Sequence, residues 1–200
     1  MPTESTRLYG LPPIVDSRTQ LLVLGSFPSV TSLARQQYYA HPQNQFWKIL
    51  QAIWPSSPSL ISVDSYEKRS QWLLDHGLGV WDVYASCERQ GSLDAAIRKP
   101  EVNDFARLLA SCPQLRAIAH NGGESFRHAR HVIHGLSPLR ASHVALMGAV
   151  DAEAANQLVG STDTVLPVYK LPSTSPANAS WGFERKLEAW RAVVAAAGLL

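Results

Sequence analysis

Apolar positions along this chain fall into short unbroken runs, separated by segments of helical periodicity. Leu21-Leu22-Val23-Leu24 is one such run, polar before it and closed by Gly25, and it reads as a buried strand. Leu78 to Val83, Leu115 to His120 and Val165 to Leu171 read the same way. Between the first two, Phe46, Trp47, Ile49, Leu50 and Ile53 recur at helical spacing until Pro55 stops the helix. Further helices are predicted over Ser65 to His76, from Ser92 as N-cap through Ile97, and over Val102 to Leu109. Two more follow, one from the Asn121-Gly122-Gly123 turn through Ile133 and one over Phe183 to Ala197. Strands alternating with helices imply a parallel sheet covered on both faces. Gly135 to Thr164 is ambiguous: Ala152 to Val159 reads as helix, and Val144-Ala145-Leu146-Met147 fits a short strand or part of a helix. There is no internal repeat or long linker, so one domain over 1–200 is expected, with 1–7 as a flexible tail.

Composition narrows the class. A chain of 200 residues that is 46% hydrophobic can build a full core. No apolar run approaches the ~18 residues of a membrane span, and the polar N-terminus lacks a signal-peptide stretch. The cytoplasm is the expected location. Cys87 and Cys112 stand far apart without a second pair, which excludes a metal site built from four cysteines and suits two ordinary thiols. Net charge is only +2, so any basic surface must be local.

The candidate chemistry sits in loops after two of the strands, at the sheet edge where open parallel sheets bind ligands. The first is Gly25-Ser26-Phe27-Pro28-Ser29, running on through Tyr38-Tyr39-Ala40-His41-Pro42-Gln43-Asn44-Gln45-Phe46-Trp47. Its glycine permits close approach of a ligand, and the N–H groups that follow can form an anion-binding nest or simply a tight turn. Adjacent Tyr38 and Tyr39 point opposite ways if extended, so one can pack inward while the other offers a stacking face. Asn44 fits two roles, a helix N-cap or an amide that orients water. The second loop, Leu171-Pro172-Ser173-Thr174-Ser175-Pro176-Ala177-Asn178, is rich in hydroxyls and N–H groups that can meet phosphates. His128, His131 and His134 recur every three residues but lack the glutamate of a zinc-protease helix, and with Arg127, Arg130 and Arg140 they read as a solvated basic face. No metal site and no cofactor are expected.

Taken together, these segments resemble the uracil-DNA glycosylase superfamily and, within it, the hypoxanthine-DNA (deoxyinosine) glycosylase branch. Gly79-Val80-Trp81-Asp82-Val83, Gly91-Ser92-Leu93-Asp94 and Asn121-Gly122 support the likeness, which covers about residues 8 to 192. The resemblance implies a three-layer α/β/α sandwich with a short, mainly parallel four-stranded sheet. It also implies an enzyme that flips a damaged nucleotide out of DNA and hydrolyses its N-glycosidic bond, leaving an abasic site. By the same resemblance, Asn44 is catalytic and positions water, while Ser26, Phe27, Tyr39 and Asn121 bind the base. Ser173, Thr174, Ser175, Pro176, Ala177 and Asn178 would grip the strand. Phe27 departs from the asparagine that mismatch-specific uracil and thymine glycosylases carry there, which favours hypoxanthine over uracil. The implied substrate is double-stranded DNA bearing a deaminated base, with single strands left open, and the implied state is a monomer. Two alternatives stand beside this reading: a mismatch-specific uracil/thymine glycosylase, and a non-catalytic damaged-DNA-binding module of the same fold.

Overall fold

The computed structural model describes residues 6–57, 60, 65–134, 144–149 and 166–200. The four apolar runs form parallel strands: β2 (Leu21–Gly25), β3 (Leu78–Asp82), β6 (Ala117–Asn121) and β8 (Leu166–Leu171). A fifth, β7 (Val144–Ala149), joins the edge beside β8, giving the order β3-β2-β6-β8-β7. This resolves the ambiguity at 144–147 in favour of a strand. The predicted helix at Ala152 to Val159 lies outside the described residues, as does Val165.

Every residue of β2, β3 and β6 is buried, as expected of strands covered on both faces. The covers include α2 (Phe46–Ile53), which packs on α7 (Phe183–Ala196), and α4 (Phe105–Ala110), which packs on α6 (Ala129–His134). Helices α1 (Val30–Arg35), α3 (Tyr66–Asp75) and α5 (Gly123–Phe126) complete the described set. Phe46 forms edge-on contacts with Trp47 and Trp190, joining α2 to α7 through aromatic packing.

Four features depart from the sequence pattern. A small antiparallel sheet, β1 (Arg7–Tyr9), β4 (Tyr84–Glu88) and β5 (Arg98–Val102), was not anticipated. Strand β5 is Arg-Lys-Pro-Glu-Val and mostly exposed, so it carries no apolar signal, and its pairing with β4 takes Val102 out of the expected helix. Asp104 caps α4 instead, accepting from the Ala106 and Arg107 N–H groups. Ser92 starts no helix of its own: its hydroxyl accepts from the Val30 N–H at the start of α1, and only a 3-10 turn forms at Asp94–Ala96. The helix expected through Ile133 breaks into α5 and α6, where His128 N–H bonds back only three residues to Ser125.

Register matters most for function. Gly25 pairs with Asp82, Leu24 with His120, and Asn121 with Leu171. Four strand ends therefore finish level, and their last residues share one edge.

Candidate active site

That edge opens into a cleft of about 740 Å³. It is lined by Gly25 to Ser29, Tyr39, Asn44, Asn121 and the loop from Pro172 to Asn178. The residues singled out in the sequence thus converge, but several are used differently from expectation.

Ser26 is pinned at both ends: its hydroxyl donates to Asp94 Oδ1 at 2.6 Å and its carbonyl accepts from the Tyr84 N–H at 3.0 Å. Phe27 lines the cleft, yet it is only 7% exposed, with the Arg89 guanidinium 5.0 Å from its ring centroid. Arg89 also donates from Nη2 to the Pro28 carbonyl, so one buried cation holds the loop. Much of the Phe27 ring is therefore committed to packing.

Of the tyrosine pair, Tyr38 goes inward, its hydroxyl donating to the Leu11 carbonyl at 3.1 Å. Tyr39 turns to the cleft while one face stacks on Phe46, with centroids 4.0 Å apart. Strand-like alternation does not achieve this. Tyr39 has φ +53°, a left-handed conformation that costs a non-glycine residue ~1–3 kcal/mol and is concentrated at functional sites. Its hydroxyl is buried next to the Asn121 side chain without hydrogen-bond geometry, and burial keeps it un-ionised.

Asn44 lines the cleft and lies one residue before the N-cap of α2, which is Gln45. Its Oδ1 accepts from the Phe46 N–H at 2.9 Å, which fixes the plane of the amide. A carbonyl oxygen has two lone pairs and the amide two N–H groups, so polar capacity is left for a ligand.

Asn121 does not point a free amide at the cleft. Its Oδ1 accepts from the Thr174 N–H and its Nδ2 donates to Thr174 Oγ1, both at 2.9 Å. One N–H and one Oδ1 lone pair remain to it, so any contact with a base edge is made by an amide that already holds Thr174. Thr174, expected to contact DNA, is fully buried and anchors the loop instead. Its carbonyl accepts from the Gln45 N–H, while Trp190 donates to the Pro172 carbonyl and Lys186 to that of Asn178. Ser173 and Ser175 accept from the N–H groups of Ser175 and Ala177, and Asn178 Nδ2 donates to the Ser173 carbonyl. Pro176 and Ala177 are exposed at the tip. The loop is a braced wedge with an apolar point, its hydroxyls largely serving its own turns.

Two carboxyl groups escaped the sequence reading. Asp82 is 4% exposed, lines the cleft, and has Oδ2 buried without a partner. A methyl group on Gly25 would collide with its Oδ1. Burial above all, then the nearby Asp94 charge, pushes Asp82 up to about 7, against a smaller opposing pull from Arg89. Burial likewise raises Asp94. The signal was an acid closing the apolar run Leu78 to Asp82, a position that ordinarily demands a reason. Lys170 and His41 also line the cleft, and the lysine supplies positive charge. His120, fully buried, is held down to about 3 by desolvation and stays neutral. Of the histidine series, Nε2 of His128 lies 2.7 Å from the Tyr84 hydroxyl, while His131 and His134 are exposed.

Comparison with known proteins gives the family. Residues 12–194 match the family model described as the uracil DNA glycosylase superfamily. The chain belongs to that superfamily. It is therefore a DNA glycosylase, and DNA is its substrate. Among curated relatives, a hypoxanthine DNA glycosylase of Methanosarcina barkeri is 37% identical over 116 residues, 58% of this chain and 72% of the relative. One of Methanosarcina acetivorans is 40% identical over 114 residues, covering 56% and 70%. A G/U mismatch-specific uracil DNA glycosylase of Schizosaccharomyces pombe is 30% identical over 104 residues, 51% of this chain and 30% of that one. A solution NMR structure from Methanosarcina acetivorans, described as a uracil DNA glycosylase, superposes with TM-score 0.67 and 28% identity, covering 97% and 99% of the chains. No described helix of the present glycosylase is long and apolar enough to cross a membrane.

Proposed function

We propose that this glycosylase excises hypoxanthine from deaminated duplex DNA, as a monomer and without a metal. The observation that carries this reading is the cleft at the level strand ends. It joins an aromatic plate, Tyr39 backed by Phe46, to an oriented amide, Asn44, in a space wide enough for a purine nucleotide. The names of two relatives, both hypoxanthine DNA glycosylases, support the same substrate. Phe27, buried under Arg89, brings no amide to the position where uracil-removing relatives have asparagine.

The target base must leave the stack before its glycosidic bond can be reached. Once flipped, it lies on the open face of Tyr39. The tip at Pro176 and Ala177 presses into the vacated position, held by the Asn121–Thr174 staple. Asn44 Oδ1, with one lone pair taken by the Phe46 N–H, accepts from water with the other and aims that water at C1′. An amide is a feeble base, but an oxocarbenium-like sugar needs orientation more than nucleophilic push.

End-labelled duplexes bearing inosine, uracil, xanthine or a G·T mismatch, treated with alkali after incubation, test the reading. Inosine is expected to yield abasic sites far faster than uracil. Equal single-turnover rates on the two would assign the chain to the mismatch uracil glycosylases in function.

A further inference from the structure

We infer that Asp82 is the acid of this site: it carries a proton into the cleft and delivers it to the departing purine. The inference rests on the purine-excision reading above and adds a catalytic residue to it.

The argument begins with placement. Asp82 ends β3 directly beside Gly25 of β2, at the floor of the cleft. Gly25 lacks a side chain, and that gap is where Asp82 Oδ1 lies, with the Tyr39 hydroxyl close by. A base stacked on Tyr39 therefore has one edge over the Asp82 carboxyl. Asp82 Oδ2 has no partner, and the backbone carbonyl of Asp82 is already engaged by Asn103 Nδ2. A carboxylate buried without donors is costly, whereas a neutral acid offers an O–H to the ligand. Asn121, the other candidate base reader, already bonds Thr174 through both ends of its amide.

The titratable and charged groups around Asp82 come from several elements. They are Tyr38 and Tyr39 before α2, Tyr66 of α3, Arg89 after β4, and Asp94 of the 3-10 turn. The tyrosines remain neutral, Asp94 favours retention of the proton and Arg89 opposes it. Burial, the largest influence, also favours the neutral acid, so near neutral pH the proton is available.

The step balances as follows. The C1′–N9 bond breaks with its electron pair going to the purine. The Asp82 proton passes to a purine ring nitrogen, so the base leaves neutral and Asp82 is left ionised. Water adds to C1′, and the proton it releases restores Asp82. A purine anion is a poor leaving group, and general-acid assistance typically contributes ~10²–10⁴-fold.

The test is single-turnover cleavage of an inosine duplex from pH 5.5 to 8.5 by wild type, Asp82→Asn and Asp94→Asn. Wild type should lose rate as pH rises through about 7. Asp82→Asn, nearly isosteric but unable to transfer a proton, should be ~10²–10⁴-fold slower with that limb abolished. Asp94→Asn removes a like charge and should move the limb to lower pH. A wild-type rate that is flat or climbs through this range would overturn the inference, a climb making Asp82 a base. Wild-type speed in a folded Asp82→Asn, checked by circular dichroism, would overturn it too. If Asp82→Asn does not fold, the wild-type and Asp94→Asn profiles still decide. Failure of wild type to cut inosine at any pH would instead sink the substrate assignment.

Discussion

Asn44 shows how one side chain serves fold and chemistry together. Its Oδ1 accepts from the first N–H of α2, and the same bond orients the amide at the cleft. Asn44→Ala should therefore lose about 1 kcal/mol of stability and also ~10²–10³-fold in single-turnover rate. Thermal melts beside kinetics separate the two, since a mere cap predicts the first loss without the second. Asp82 invites a stability measurement of its own. Its pKa is raised in the folded state to about 7 from an ordinary 3.8, so the native protein binds this proton more tightly than the unfolded chain. The sign follows: stability is intact below about pH 4, falls as pH rises to about 7, and is flat beyond. The cost at pH 8 is at most about 4 kcal/mol. Asp82→Asn should melt above wild type at pH 8, with the gap closing toward pH 4.

At the scale of elements, the loop after β8 works because it is tied down. Asn121 at the end of β6, Gln45 before α2, and Lys186 and Trp190 of α7 all bond to it. Such ties let an exposed Pro176–Ala177 tip push against DNA without yielding. Asn121→Ala deletes two buried hydrogen bonds and leaves the Thr174 N–H unpaired. A loss of ~2–4 kcal/mol is expected, with weaker binding to duplex DNA. Ser175→Ala removes only a bond within the turn, so its affinity should stay within about threefold of wild type if the loop acts through its tip. A drop comparable to that of Asn121→Ala would return the phosphate-gripping role to the hydroxyl.

For the molecule as a whole, a net charge of +2 and a cleft lined by Lys170 predict modest electrostatic capture of DNA. Affinity should fall with salt at a log–log slope of about −2 to −4, the signature of few phosphate contacts. Prolonged chelation should leave the cleavage rate intact, because the groups argued to act are an amide and a carboxyl. A zinc-restorable loss would redirect attention to the histidines.

Much of this was legible before any coordinates. Four buried strands, the helices between them and the convergence of two loops follow from apolar runs, helical periodicity and the position of a loop after a parallel strand. Asn44 and Tyr39 were visible because their neighbours form a dense motif. Strand β5 was hidden, since its charged residues are held by pairing with β4 rather than by a buried face. So were the assignments inside the cleft. Whether Tyr38 or Tyr39 faces the ligand depends on one left-handed residue, and whether Asn121 reads a base or a loop depends on Thr174 reaching it across 53 positions. Asp82 looked like a supporting position because its environment comes from strand register, with Gly25 opposite and Asp94 folded over from another segment. Local pattern determines which faces are buried. The partners of a buried polar atom come from distant parts of the chain, and only the packed structure decides them.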